Sequence, residues 1–245
     1  MGHVLEVESL GKRFGQIVVA DELSFSVAKA ECLGIIGPNG AGKTSVFNIL
    51  DGTLVPDSGR VVLDGEDVTR NTKHFRARRG MARAYQVPQP FPDLTAFENV
   101  VVAAAFGGGQ DLQAAGRFSW ELMKRCGISD QADAAAGGLP LLDRKRLELA
   151  RALALRPKLL LLDEIAGGLT EMEVRDLVDL INSIKPDVAM VWIEHVTHAL
   201  AAVADRVLAM HFGRKIAEGC PAEVMNHPSV QEVYLGAMLD AAALN

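Results

Sequence analysis

Residues 32–50 read CLGIIGPNGAGKTSVFNIL. The first six form a short apolar strand, the last seven start a helix, and between them GPNGAGKT (37–44) matches G-x-x-x-x-G-K-[ST]. The spacing has a chemical reason. Gly37, Gly40 and Gly42 let the backbone curl until its N–H groups point inward at phosphate oxygens. The following helix offers its N-terminal dipole to the same anion. Lys43 can reach the β- and γ-phosphates, and Thr44 can place its hydroxyl on Mg²⁺. A strand–loop–helix frame around this pattern makes nucleotide binding the expected function.

Outward from this stretch, the texture changes twice. Before it, VLEVESL and LSFSVAK alternate apolar and polar residues as half-buried antiparallel strands do, and RVVLDGEDV (60–68) repeats the pattern around an Asp64-Gly65 turn. Residues 94–106 read as a helix ended by the glycines at 107–109, and 111–136 as an Ala-rich helical stretch with breaks. From 157 onward, LLLLD, TEMEVRDLVDLINSI, VAMVWIE, THALAAVA and RVLAMHF alternate strand and helix. Such alternation implies an α/β fold, a parallel sheet covered on both faces. RKIAEG is a last short strand, and 228–243 a terminal helix.

Composition narrows the class. The 245 residues are enough for one large domain or two small subdomains, and 49% hydrophobic with 23% charged residues is an ordinary globular mix. A net charge of −6 and a pI of about 5.5 argue against nucleic acid as a partner. Cys32, Cys126 and Cys220 are far apart and odd in number, so reduced thiols are expected rather than a disulfide framework or zinc site. The start, MGHVLEVESL, does not read as a signal peptide, and no apolar run approaches the ~20 residues of a membrane span.

Four further positions fit the phosphate site. Asp163 ends an apolar strand, where ligands collect in open α/β sheets, and can hold Mg²⁺ through water. Glu164 can polarise an attacking water. Gln86, in ARAYQVPQPF, and His195, after VAMVWIE, also stand at strand ends. An amide at 86 could sense Mg²⁺ and the water, and an imidazole at 195 could bond the γ-phosphate. Each is by itself an ordinary strand-end residue. His198, three residues on, reads as helix surface.

These pieces, in this order, resemble the nucleotide-binding subunits of ABC transporters over nearly the whole chain. GPNGAGKT is similar to their Walker A loop, with Pro38, Asn39, Ala41 and Ser45 completing the phosphate cradle. LLLLDE is similar to Walker B with its catalytic glutamate, Gln86 to the Q-loop glutamine, and His195 to the switch histidine. The resemblance implies a P-loop NTPase of the ABC ATPase type. Its expected parts are a RecA-like parallel-sheet core, an N-terminal antiparallel β-subdomain and a helical subdomain. The approximate boundaries are 1–86 with 157–220 for the nucleotide-binding core, 87–156 for the helical part and 221–245 for a C-terminal helical tail. ATP and Mg²⁺ are the implied cofactors, with Thr44, Gln86 and Asp163 around the metal. Phe14, in LGKRFG, resembles the aromatic that stacks on adenine; a strand-end core aromatic is the competing reading.

RGMARAYQVPQPFPDLTAFENVVVAA, LLDEIAGGLTEMEV, IEHVTHAL and HPSVQEVYLGA are more closely similar to ATP-binding subunits of branched-chain amino acid importers. That likeness implies permease subunits, a second ATP-binding subunit (a different chain, or a second copy) and, indirectly, a solute-binding protein. It places the chain in the cytoplasm, peripheral on the inner face of the cell membrane. The family carries Leu-Ser-Gly-Gly-Gln at the head of the helix before Walker B. Here the positions hold Leu139, Pro140, Leu141, Leu142 and Asp143. Pro140 offers neither hydroxyl nor N–H, and two leucines replace glycines. Gly137-Gly138 could stand in only about one helical turn away. The departure implies either an asymmetric pair, in which the site closed by this segment is slow, or a branch in which backbone N–H groups and the helix dipole suffice. Ile165 and Thr170 replace the usual proline and aspartate beyond Walker B.

Two surface expectations remain open. Arg70, Lys73, Arg76, Arg78, Arg79 and Arg83 form a basic run that is either a solvated face or a contact with permease or lipid headgroups. Val87–Phe97, with Phe91, Pro92 and Leu94, is either core or the permease contact. A non-transport ABC ATPase and a weakly hydrolysing regulatory subunit are the alternatives to a transport ATPase. A GTPase is disfavoured because N-K-x-D is absent, and a small-molecule kinase because it has no need of the adjacent acids.

Overall fold

A computed structural model describes residues 2–234. The N-terminal half opens with β1 (His3–Phe14) and β2 (Ile17–Ala28), a long antiparallel hairpin. The central strand β3 (Cys32–Ile36) leads through the glycine loop to α1 (Lys43–Leu50). The hairpin of β4 (Ser58–Leu63) and β5 (Glu66–Asp67) follows, then α2 (Lys73–Arg78) and β6 (Met81–Ala84). The Asp64-Gly65 turn has positive φ at both residues, the backbone an Asp-Gly hairpin turn requires.

Residues 94–138 contain α3 (Ala96–Val102), a π-helical turn at Ala103–Gly107, α4 (Leu112–Arg125) and two 3₁₀ turns. Then come α5 (Leu141–Ala154), β7 (Leu159–Asp163), α6 (Glu171–Ile184), β8 (Ala189–Ile193), α7 (Thr197–Val203), β9 (Arg206–His211), β10 (Arg214–Gly219) and α8 (Pro221–Met225). Residues 228–234 are helical, and the rest of the expected terminal helix lies outside the described residues.

The strands form two sheets. One is antiparallel, in the order β2-β1-β4-β5; the other runs β10-β9-β3-β8-β7-β6, parallel except for β10 at its edge. Every residue of β3, β7 and β8 is buried, as expected for parallel strands covered on both faces. The period of two divides these strands between two cores. Leu33, Ile35, Leu159, Leu161, Val191 and Ile193 join α1 and the antiparallel sheet on one face. Ile36, Leu160, Leu162, Met190 and Trp192 join α3, α5, α6 and α7 on the other. Gly34 matters for this second layer, because a Cβ there would lie 2.8 Å from Leu200 of α7.

Cys32 and Cys126 are buried free thiols pushed up to about 12 by burial, so they stay protonated; Cys220 is exposed and free. No helix among the described residues is long and apolar enough to cross a membrane.

Candidate nucleotide site

Strand register assembles the site. Ile35 of β3 lies opposite Ile193 of β8, Ile193 opposite Asp163 of β7, and Leu162 opposite Ala84 of β6. Four strands therefore end level with one another. The loops that leave them carry Gly37–Lys43, Glu164, His195 and Gln86, so residues separated by up to about 150 positions emerge along one sheet edge.

The glycine loop has little spare room. Gly42 has φ 102°, and a Cβ on it would sit 2.1 Å from the Val19 carbonyl oxygen of β2. No L side chain fits, so only glycine can hold this backbone at the start of α1. No side chain caps α1 either. Lys43 folds back over the loop and donates from Nζ to the carbonyl oxygens of Gly37 (2.7 Å) and Pro38 (3.1 Å). Burial lowers its pKa, and the nearby Glu164 carboxylate opposes that shift.

Three residues named from sequence meet in one hydrogen-bonded cluster. Gln86 Nε2 donates to Glu164 Oε2 at 2.6 Å, and His195 Nε2 lies 2.8 Å from Glu164 Oε1. An ionised carboxylate only accepts, so the hydrogen of this second bond belongs to His195 Nε2. Glu164 itself has φ 48°, a left-handed conformation that costs a non-glycine residue about 1–3 kcal/mol. Its N–H donates to the Ile193 carbonyl at 2.8 Å, which locks this turn to the end of β8. The side chain that reads as the water-orienting base is thus held by backbone on one side and by an amide and an imidazole on the other.

Asp163 is bound differently. Its Oδ2 pairs with Arg83, whose other guanidinium nitrogen donates to Asp51 (2.6 Å) and Asn48 (2.9 Å) at the far end of α1. Arg83 lies between the Phe47 and Tyr85 rings, with its side chain 7% exposed. Burial opposes its charge, but the two carboxylates more than compensate and its pKa is raised. No hydrogen bond engages Asp163 Oδ1 among the described residues. With the Thr44 hydroxyl and the Gln86 amide oxygen, it is of the hard oxygen type that Mg²⁺ takes, and these three residues are the ones that would hold the ion.

Arg83 corrects the reading of the basic run, as does Arg76. Arg76 is buried and donates to the carbonyls of Ile49, Leu50, Thr69 and Asn71, which closes the C-terminus of α1; burial lowers its pKa to about 10. Only Arg70, Lys73, Arg78 and Arg79 of that run are exposed. Phe14 is 50% exposed at the tip of the β1–β2 hairpin, with Lys12 Nζ 5.5 Å from its ring centroid, so it is no core aromatic. Val87 and Phe91 are exposed as well.

Residues 139–143 are built in another way. Leu139 is buried, Pro140 takes the N-cap position of α5 with no side-chain cap, and Leu141 packs beside Gly168 in the loop after β7. No hydrogen bond joins them to Lys43, Glu164 or His195 among the described residues. Farther along α5, Arg151 donates to the Gln89 carbonyl (2.7 Å) and to Glu148 (2.8 Å), which fastens the helix to the segment after Gln86. Burial raises the pKa of Glu148. Ile165 is buried, and Thr170 caps α6 in a reciprocal box with Glu173, a task aspartate performs equally well.

A strand-ended glycine loop, an acidic pair at the end of β7 and an amide and imidazole converging on the second acid define an ATP-hydrolysing cassette. The chain belongs to the ABC transporter ATP-binding family, whose profile matches residues 20–167. A second profile, branched-chain amino acid ATP-binding cassette transporter, matches residues 214–239. The high-affinity branched-chain amino acid transport ATP-binding protein BraF of Pseudomonas aeruginosa is 32% identical, over 95% of this chain and 98% of that protein. The lipopolysaccharide export system ATP-binding protein LptB of Haemophilus influenzae is 33% identical, over 95% and 97%. Among solved structures, an ABC transporter ATP-binding cassette in its ADP conformation superposes with a TM-score of 0.87 at 28% identity, covering 96% of this chain and all of the other.

Proposed function

We propose that this ABC ATPase powers an importer of branched-chain or other amino acids or related small solutes. The observation that carries this reading is the match of residues 214–239 to the branched-chain amino acid cassette profile, supported by the likeness to BraF along nearly the full length. In this reading the chain works in the cytoplasm against permease subunits on the inner face of the membrane, with a solute-binding protein delivering the cargo outside. Val87 and Phe91, exposed just after Gln86, are the apolar anchors for the permease.

ATP sits on Gly37–Ser45 with its adenine on Phe14. Lys43 and His195 face the γ-phosphate, Glu164 orients the attacking water and Gln86 reports on both. Thr44, Gln86 and Asp163 would hold Mg²⁺, whose positive charge would offset that of the phosphates. Cells carrying Lys43→Ala should lose uptake of radiolabelled leucine, isoleucine and valine. Undiminished uptake of all three refutes branched-chain amino acids as the cargo, and undiminished uptake of every other amino acid as well refutes amino acid import. The similar identity to LptB supports an export role as the second reading, and loss of an exported lipid rather than of uptake would select it.

The second cassette is a different chain carrying an intact signature. Pro140, Leu141 and Leu142 leave neither a hydroxyl nor a glycine at the head of α5 to receive the partner's γ-phosphate. The solution mass of Glu164→Gln with and without ATP tests this: the chain alone should remain monomeric when it binds ATP. A homodimer formed on ATP addition refutes it.

A further inference from the structure

Two charged side chains in this region have no place in the chemistry just described, yet both are almost wholly buried. Glu194 is 2% exposed, between the end of β8 and His195. Its Oε2 accepts the N–H of Ala166 at 3.0 Å, in the loop that follows Glu164. Its Oε1 accepts the N–H groups of His195 (3.0 Å) and Val196 (3.3 Å). One carboxylate therefore holds the loop after β7 with one oxygen and the loop after β8 with the other.

Lys145, on α5, is 4% exposed and donates to the Gln86 carbonyl at 3.3 Å. Burial lowers its pKa, and the Glu194 charge opposes that shift. A buried carboxylate is costly without compensation, and surface loops do not need one to satisfy their N–H groups. The placement has a better explanation in what the two loops carry. Glu164 and His195 touch each other through side chains (2.8 Å), and Glu194 joins their backbones from beneath.

From this geometry we infer that Glu194 is a positioning residue. It makes the Glu164 loop and the His195 loop a single rigid unit. A displacement of either loop then moves the water-orienting carboxylate and the phosphate-facing imidazole together. This rests on the roles proposed above for Glu164 and His195.

The test compares Glu194→Gln with Glu164→Gln and His195→Ala. An amide has the same shape, but its NH2 end cannot accept, so one loop loses its hydrogen bond directly and the other loses the rigid partner it was tied to. Expected is a kcat for ATP hydrolysis lowered by roughly 10- to 100-fold, the scale for misplaced reacting groups, with the KM for ATP unchanged. Hydrogen exchange, which needs neither partner nor turnover, should quicken at residues 164–168 and 194–196 together by at least about tenfold, with β7 and β8 unaffected. Wild-type kcat, equal loss of kcat and ATP affinity, or faster exchange confined to one loop overturns the inference. Should Glu194→Gln fail to fold, Glu194→Asp decides, since it keeps the charge but is one methylene too short to reach both loops: kcat should fall with KM unchanged, and wild-type kcat overturns the inference. If Glu164→Gln and His195→Ala themselves leave hydrolysis intact, the site reading has failed. If they abolish it and Glu194→Gln does not, only the present inference has.

Discussion

Two helix starts in this chain are candidates to face phosphate, and they are built to opposite standards. At the head of α1, Gly42 takes a backbone that only glycine adopts comfortably, against a carbonyl 2.1 Å from any Cβ it might carry. At the head of α5, Pro140 occupies the cap, its N–H is missing, and Leu141 and Leu142 stand where small residues would let an anion approach. Neither start has a side-chain cap, whereas α3 and α6 are closed by Thr95–Glu98 and Thr170–Glu173 boxes. The comparison teaches that an uncapped helix start is not enough. Phosphate needs inward-pointing N–H groups with nothing in front of them, and of the two starts only α1 has the glycine backbone that allows this.

The comparison can be broken most directly at Lys43. Lys43→Ala should lower ATP hydrolysis by at least ~10²-fold, the scale for loss of a preorganised electrostatic donor. Steady-state phosphate release would measure it, and an effect smaller than tenfold would mean that α1 is not the phosphate-bearing start.

Next in size is Arg83, which anchors the far end of α1 to Asp163. Arg83→Met leaves the Asp51 and Asp163 carboxylates without their buried partner and should destabilise the fold by about 3–5 kcal/mol. Urea denaturation reads this out, with the midpoint falling at constant slope. A change under ~1 kcal/mol would show that water replaces the guanidinium, as at an exposed pair.

At the other start, Pro140→Ser with Leu141→Gly and Leu142→Gly restores the small, hydroxyl-bearing head. Hydrolysis by the chain alone should rise, by roughly tenfold if one charge-assisted hydrogen bond to the γ-phosphate is regained. Unchanged activity would equate the two starts after all. The smallest effect belongs to the start that does carry a cap: Thr170→Ala should cost about 1 kcal/mol in thermal or urea unfolding and leave hydrolysis unaffected.

The glycine loop, the acids after β7 and the strand–helix alternation were legible because each is a local pattern with a local cause. Continuous apolar runs in β3, β7 and β8 announce strands covered on both faces, and GPNGAGKT announces its own backbone. The basic run misled, because charge count along the chain does not say which way a side chain points. Arg76 and Arg83 turn inward to close and anchor α1, while their neighbours stay in water. Within MARAY, period-two alternation was the only signal that Arg83 faces inward.

The sequence alone determined the class of chemistry: which backbone can cradle phosphate, which acids stand beside it, and where the family pattern is interrupted at Leu139–Asp143. Only the tertiary structure decided who meets whom. Parallel strands in register bring Gln86, Glu164 and His195 into one hydrogen-bonded cluster, and loop closure lets Glu194 join the loops that carry two of them. The reason is physical: a local pattern is set by neighbours a few bonds away, whereas a buried ion's partners are set by strand order and register, which no window of sequence contains.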